Sequence, residues 1–159
     1  GAPSRPFARK VPQGTPVILV GFATNGINPN LNDLDAAAAL VRQAKRRAGG
    51  GFVLVSFHGG AEGSGRQRVP RGPETFHGER RGDLRRFART VVDAGADLVI
   101  GHGPHVLRGM EVYRRRLIAY SLGNFATWSK MSLSGPLGRT AILEARIGPD
   151  GHLLSGRVH

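Results

Sequence analysis

The sequence predicts an α/β domain built on a mixed sheet, and three observations carry that prediction. Short apolar runs at Pro16–Ala23, Phe52–Phe57 and Asp97–Ile100 have the length and bounding turn signals of buried strands. Two amphipathic stretches with helix-stop signals separate them, giving the order β-α-β-α-β. From Gly109 onward the pattern changes to paired short runs around turn residues, so antiparallel hairpins are added to the parallel part.

Residues 1–15 are rich in proline and basic residues without periodicity, and read as an extended lead-in or linker to one domain over 16–159. The first strand gives way to a loop at Thr24–Asn32 (TNGINPNLN). A helix then starts at Asn32 or Asp33 as N-cap and runs to about Ala48. Lys45, Arg46 and Arg47 in its last turn suit the helix dipole, and Gly49-Gly50-Gly51 stops it. The second strand ends in His58-Gly59-Gly60. The segment from Gly59 to Gly82 reads as a long irregular loop, a length that points to function. A second helix spans about Asp83 to Ala94, with Leu84, Phe87, Ala88, Val91 and Val92 on one face and Gly95 as its stop. Met110–Tyr113 and Leu117–Leu122 flank Arg114-Arg115-Arg116 as a hairpin, Gly123–Gly138 is a second loop, and Thr140–Ile147 and His152–Val158 flank the turn Pro149-Asp150-Gly151.

The chain has 159 residues and 17.0 kDa, enough for one domain with a real core. No apolar run reaches the length of a membrane span, and residues 1–15 lack the apolar centre of a signal peptide. The absence of cysteine excludes thiolate metal sites, disulfides and cysteine nucleophiles. Lys and Arg total 23 against 11 Asp and Glu, for a net charge of +12, and nearly all the cations are arginine. Such a field attracts polyanions, although solvated arginine faces would give the same count. No aromatic residues interleave with the arginines, so no specific nucleic-acid binding is expected.

Chemistry concentrates at two strand ends. The third strand leads into Gly101-His102-Gly103-Pro104-His105, and the second delivers His58. Ligands of open α/β sheets bind at carboxyl ends of strands. Three imidazoles converging there could hold one transition metal and leave a coordination position open. Glu62 is the nearest carboxylate along the chain, and Asn124 in S-L-G-N-F follows another strand at what would be the same edge. Arg66, Arg68 and Arg71 lie on the long loop after His58 and could close over an anion. The other arginine clusters, Arg80-Arg81 among them, read as solvated faces. His77, His152 and His159 read as turn-capping residues, and Gly82-Asp83 as a helix start rather than a phosphoesterase G-D block. Ser56 and Ser121 lack the setting of a nucleophile elbow.

The runs V-S-F-H-G-G-A-E at 55–62, D-A-G-A-D-L-V-I-G-H-G-P-H-V-L at 93–107 and R-L-I-A-Y-S-L-G-N-F at 116–125 resemble the CapA family of capsule and poly-γ-glutamate synthesis proteins. That family is similar to the calcineurin-like metallophosphoesterases. The resemblance covers roughly Val17 to Ile147. It implies a layered α/β sandwich, a divalent metal (manganese, zinc or iron) on His58, His102 and His105, and Glu62 and Asn124 in the site wall. It also implies a bacterial cell-envelope or extracellular setting and an anionic polymer or phosphoester as substrate. Two departures stand out. Gly59 occupies a position where the family often has tryptophan, and the aspartate, G-D and N-H blocks of the family's N-terminal half have no counterpart here. The resemblance is therefore to the C-terminal half of the fold, either as a fragment whose N-terminal half supplies the remaining ligands or as a shortened relative. On either account this chain alone should hold metal weakly. A non-catalytic, arginine-rich polyanion-binding module on the same scaffold is the alternative reading.

Overall fold

The computed structural model describes residues 7–10, 14–24, 26, 29–126 and 131–159. The strands are β1 (Phe7–Lys10), β2 (Pro16–Phe22), β3 (Phe52–His58), β4 (Glu74–Phe76), β5 (Glu79–Gly82), β6 (Leu98–His102), β7 (Met110–Tyr113), β8 (Arg116–Ala119), β9 (Leu143–Ile147) and β10 (Leu153–Val158). The helices are α1 (Leu34–Ala48) and α2 (Leu84–Asp93). The main sheet has the order β1-β2-β3-β6-β8-β7. Strands β2, β3, β6 and β8 are parallel, and β1 and β7 are antiparallel edges. The α/β class and the mixed sheet are those the sequence predicts.

Strand order advances in one direction from β2 through β3 to β6, so right-handed crossovers place α1 and α2 on the same face of the sheet. Ile18, Val20, Phe22, Val53, Val55, Phe57 and Val99 point to that face and are buried against Val41, Ala44, Phe87 and Val91 of the helices. Phe87 meets Phe22 and Phe57 edge-on, at ring-centroid distances of 5.1 and 5.4 Å. The opposite face is less covered: Leu19 is exposed, and Leu54 and Ile100 are only partly buried.

Helix ends follow the sequence signals. Asp33 caps α1 by accepting from the Ala36 amide, and Gly49 closes it in the left-handed conformation. Asp83 caps α2 through the Arg86 amide, the helix-start role expected of Gly82-Asp83.

Three differences from the predicted elements have local causes. Residues 7–10 of the lead-in pair with β2 as an edge strand, a role that needs backbone pairing and no hydrophobic periodicity. The segment after His58 is not wholly irregular, because β4 and β5 form a hairpin with Phe76 opposite Glu79. Its two-residue turn, His77-Gly78, has positive φ at both positions (48° and 79°), as a primed turn requires. Third, β8 extends the parallel set beside β6, while β9 and β10 stand apart as their own two-stranded ribbon.

The β7–β8 hairpin forms at the predicted arginines. Arg114 and Arg115 are its central residues, at φ 47° and 63°, conformations that cost a side chain with Cβ about 1 kcal/mol each. Arg115→Gly should therefore stabilise the domain by about 1 kcal/mol in urea titration. A neutral or destabilising result would show that the Arg115 side chain contributes contacts that outweigh its backbone strain.

Candidate functional site

Strands β3 and β6 run in register from Leu54 opposite Leu98 to His58 opposite His102. The two histidines thus stand side by side at the carboxyl ends of adjacent parallel strands. Side chains alternate along a strand, so His58 shares a face with Leu54 and Ser56, and His102 with Ile100. This is the face away from the helices.

Close approach of the two strand-end loops depends on glycine. A Cβ on Gly101 would collide with the Phe57 ring and the Tyr120 carbonyl. Gly103, at φ 120°, leaves only 2.7 Å between an added Cβ and the Gly59 carbonyl oxygen. The Gly59 amide donates to the His102 carbonyl at 2.9 Å, which ties the loops together. An added Cβ at Gly59 would lie 2.7 Å from Leu31 Cδ2 and 3.0 Å from the Arg81 carbonyl, so tryptophan has no room in this arrangement.

His105 is brought back toward the sheet in a left-handed conformation, φ 60°. Its Nδ1 donates to Asn124 Oδ1 at 2.7 Å, and its Nε2 faces Glu62 Oε2 at 3.5 Å. Asn124 in turn donates through Nδ2 to the Leu137 carbonyl at 3.1 Å. Glu62 Oε1 accepts from Arg81 Nη2 at 2.7 Å, and the same Nη2 lies 3.5 Å from His58 Nε2. Arg81 is buried and also donates through Nε to the Gly60 carbonyl at 3.0 Å. The contacts run from Asn124 through His105, Glu62 and Arg81 to His58, and His102 Nε2 sits 3.1 Å from Ser56 Oγ.

Burial lowers the pKa of His58 from its ordinary 6.5, and the Arg81 guanidinium lowers it further while Glu62 opposes. His102 is lowered by burial alone. Both rings are therefore neutral imidazoles near pH 7, the form that offers a lone pair to a metal. His105, with its proton fixed on Nδ1 by Asn124, presents Nε2. His58 and His102 fit a divalent metal in type and protonation, and His105 in type. Among the described residues no three His, Asp or Glu side chains lie together as a metal-binding group.

A cleft of about 170 Å³ lies between His58, His102, His105 and Asn124, walled by Phe125 and Met131. An adjoining cleft of about 410 Å³ shares His105, Asn124 and Met131 and adds Glu62 and Phe76. Glu62 and Asn124 thus join the three histidines. Arg66, Arg68 and Arg71 do not line either cleft. Arg66 contributes its carbonyl to Arg108, Arg68 lines a groove beside Met110 and Tyr120, and Arg71 lines one beside α2. His77 occupies the β4–β5 turn, while His152 and His159 pair with Asp150 and Glu144 away from the clefts.

Two residues outside the predicted set matter here. Arg81, expected on a solvated face, is the buried link between Glu62 and His58. Alternation along Glu79-Arg80-Arg81-Gly82 implies that one arginine of the pair turns inward, but not which one. Arg108 is buried against Glu74 with no local signal to mark it.

Residues 8–128 match the family model described as bacterial capsule synthesis protein PGA_cap. The chain belongs to this family. Among relatives of the PGA_cap chain, the PGA biosynthesis protein CapA of Bacillus subtilis is 35% identical over 107 residues, 66% of this chain and 24% of that protein. The capsule biosynthesis protein CapA of Bacillus anthracis is 58% identical over 39 residues, 24% of this chain and 10% of that protein. An uncharacterised protein of Sinorhizobium fredii is 68% identical over 39 residues, 24% of this chain and 8% of its own length. The PGA_cap chain thus matches about a quarter or less of the length of these relatives. None of its described helices is long and apolar enough to cross a membrane.

Proposed function

We propose that this chain supplies the histidine-bearing part of a divalent-metal hydrolase site that acts on an anionic capsule polymer or a phosphoester of the bacterial envelope. The observation that carries the reading is the register pairing of His58 with His102, two neutral imidazoles on one face at adjacent strand ends. His58 and His102 are the proposed ligands. His105 is the third, oriented by Asn124, a positioning residue that accepts from its Nδ1, while Glu62 stands in the site wall 3.5 Å from its Nε2. When bound, a divalent metal supplies positive charge that polarises a phosphoester or acyl oxygen.

The same face carries Leu19, Leu54 and Ile100, apolar residues left partly or fully exposed. That exposure supports a second layer seated over them in the intact protein, completing a metallophosphoesterase-like sandwich and adding acidic ligands at its junction with the histidines. The test is zinc and manganese titration of the intact parent protein and of this chain, each with His58→Ala and His102→Ala. In the intact protein both variants should lose at least about tenfold in affinity, since each removes a direct ligand of one site. Unchanged metal binding by His102→Ala in the intact protein would overturn the assignment.

A further inference from the structure

We propose that the larger of the two clefts is a subsite for an apolar group, so that the substrate of the histidine site is a phosphoester with an alkyl or aryl substituent. This subsite rests on the metal reading of the three histidines and narrows the substrate which that reading allows. The cleft measures about 410 Å³ and shares His105, Asn124 and Met131 with the histidine cleft. A molecule with its reacting group at the imidazoles therefore extends directly into it. A space of that size falls within the range of about 300–1,000 Å³ typical of small-molecule sites.

The polar side chains that the cleft takes from the histidine site are engaged with other groups of the chain. Asn124 accepts from His105 Nδ1 and donates to the Leu137 carbonyl, and Glu62 accepts from Arg81 while facing His105. Much of the remaining wall is apolar, formed by Phe76, Met131 and Leu137. Met131 is 44% exposed, and Phe125 in the wall of the histidine cleft is 71% exposed, so both gain by being covered. Charge decides what covers them. Among the described residues neither cleft has a lysine or arginine in its wall, and the larger one carries the Glu62 carboxylate. A polyanion laid along it would exchange water for apolar side chains and meet a like charge, with no cation in the wall to offset either cost. An apolar substituent gives up no hydrogen bond there, and a phenylalanine ring and a thioether both pack well against rings and alkyl groups.

The experiment has two arms. In the first, the metal-free full chain, labelled at its methionine methyl groups, is titrated by NMR with benzyl alcohol, a neutral probe that needs no metal. The Met131 methyl should shift and saturate, while that of Met110, outside both clefts, should not. Phe76→Ser should weaken the binding at least about fivefold. Leu154→Ser removes an exposed apolar side chain of β10 away from the clefts and should change it less than about twofold, with thermal melts confirming that both variants fold. In the second arm the intact parent protein, loaded with manganese, is titrated with alkyl and aryl phosphonates. Phenylphosphonate and n-hexylphosphonate should each bind about tenfold tighter than methylphosphonate, the tighter of the two showing whether the apolar group is a ring or a chain. Equal binding of the three phosphonates would overturn the proposal. So would the absence of a saturable Met131 shift, or equal losses from Phe76→Ser and Leu154→Ser. Failure of the metal reading shows in the metal titrations and leaves the benzyl alcohol result unchanged, so the two fail on different measurements.

Discussion

Replacing Arg108 with alanine is expected to cost about 3–5 kcal/mol of folding stability, the range for removing one partner of a buried ion pair. The Arg108 side chain is fully buried and grips Glu74 with both terminal nitrogens at 2.8 Å. Its remaining donors reach the Ala61 carbonyl at 3.1 Å and the Arg66 carbonyl at 2.7 Å, while Glu74 accepts from the Ala61 amide at 3.0 Å. One side chain from the loop after β6 thereby fixes the start of the segment after β3 to β4. Truncation strands the Glu74 carboxylate and two backbone carbonyls in an apolar interior, where each unsatisfied group is costly. Arg108→Met/Glu74→Leu should cost far less than either single change, because no charge is left behind. Urea unfolding of the two singles and the double gives the coupling directly. Hydrogen exchange should show residues 61–66 losing protection first. A cost below about 1 kcal/mol for Arg108→Ala would mean that the pair does not hold in the folded protein.

That network also explains which parts of the site could be read from the sequence. The strand ends carrying His58 and His102 were legible because apolar runs of strand length each stop at Gly or His, and a parallel sheet brings such ends to one edge. Which histidines share a face follows from the register, and register is a property of the assembled sheet. The arginines after His58 show the opposite case. Arg66, Arg68 and Arg71 are close to His58 in sequence, but the loop that carries them runs past Arg108, which takes the Arg66 carbonyl, and brings Arg71 beside α2. The hairpin itself was hidden because its turn uses His77 before Gly78, where asparagine or aspartate is the usual signal. Arg81 was masked by its neighbour: Arg80 and Arg81 have the same chemistry, and only the pairing of Thr75 with Arg80 decides that Arg81 turns inward.

Arg81→Met is expected to raise the pKa of His58 while leaving that of His102 where it is. Arg81 is the largest lowering influence on His58 after burial, and Glu62 is the influence that raises it. Without the guanidinium, the strongest charge acting on His58 is Glu62, which favours the imidazolium, with His102 and His105 as smaller opposing influences. His102 is held low by burial alone, so it serves as the internal control in a proton NMR titration. The stability profile should shift with it. A histidine whose folded pKa lies below its unfolded value contributes no penalty above the unfolded value and a growing one as pH falls through the folded value. The wild type should therefore lose stability on acidification below about pH 6.5, with part of that loss due to His58. In Arg81→Met the His58 share should shrink, giving a shallower acid limb on a protein about 2 kcal/mol less stable at neutral pH, because the Glu62 and Gly60 acceptors lose their donor. A His58 titration unchanged by Arg81→Met would show that the 3.5 Å contact is not electrostatically felt. The two strand ends would then be linked through the backbone alone.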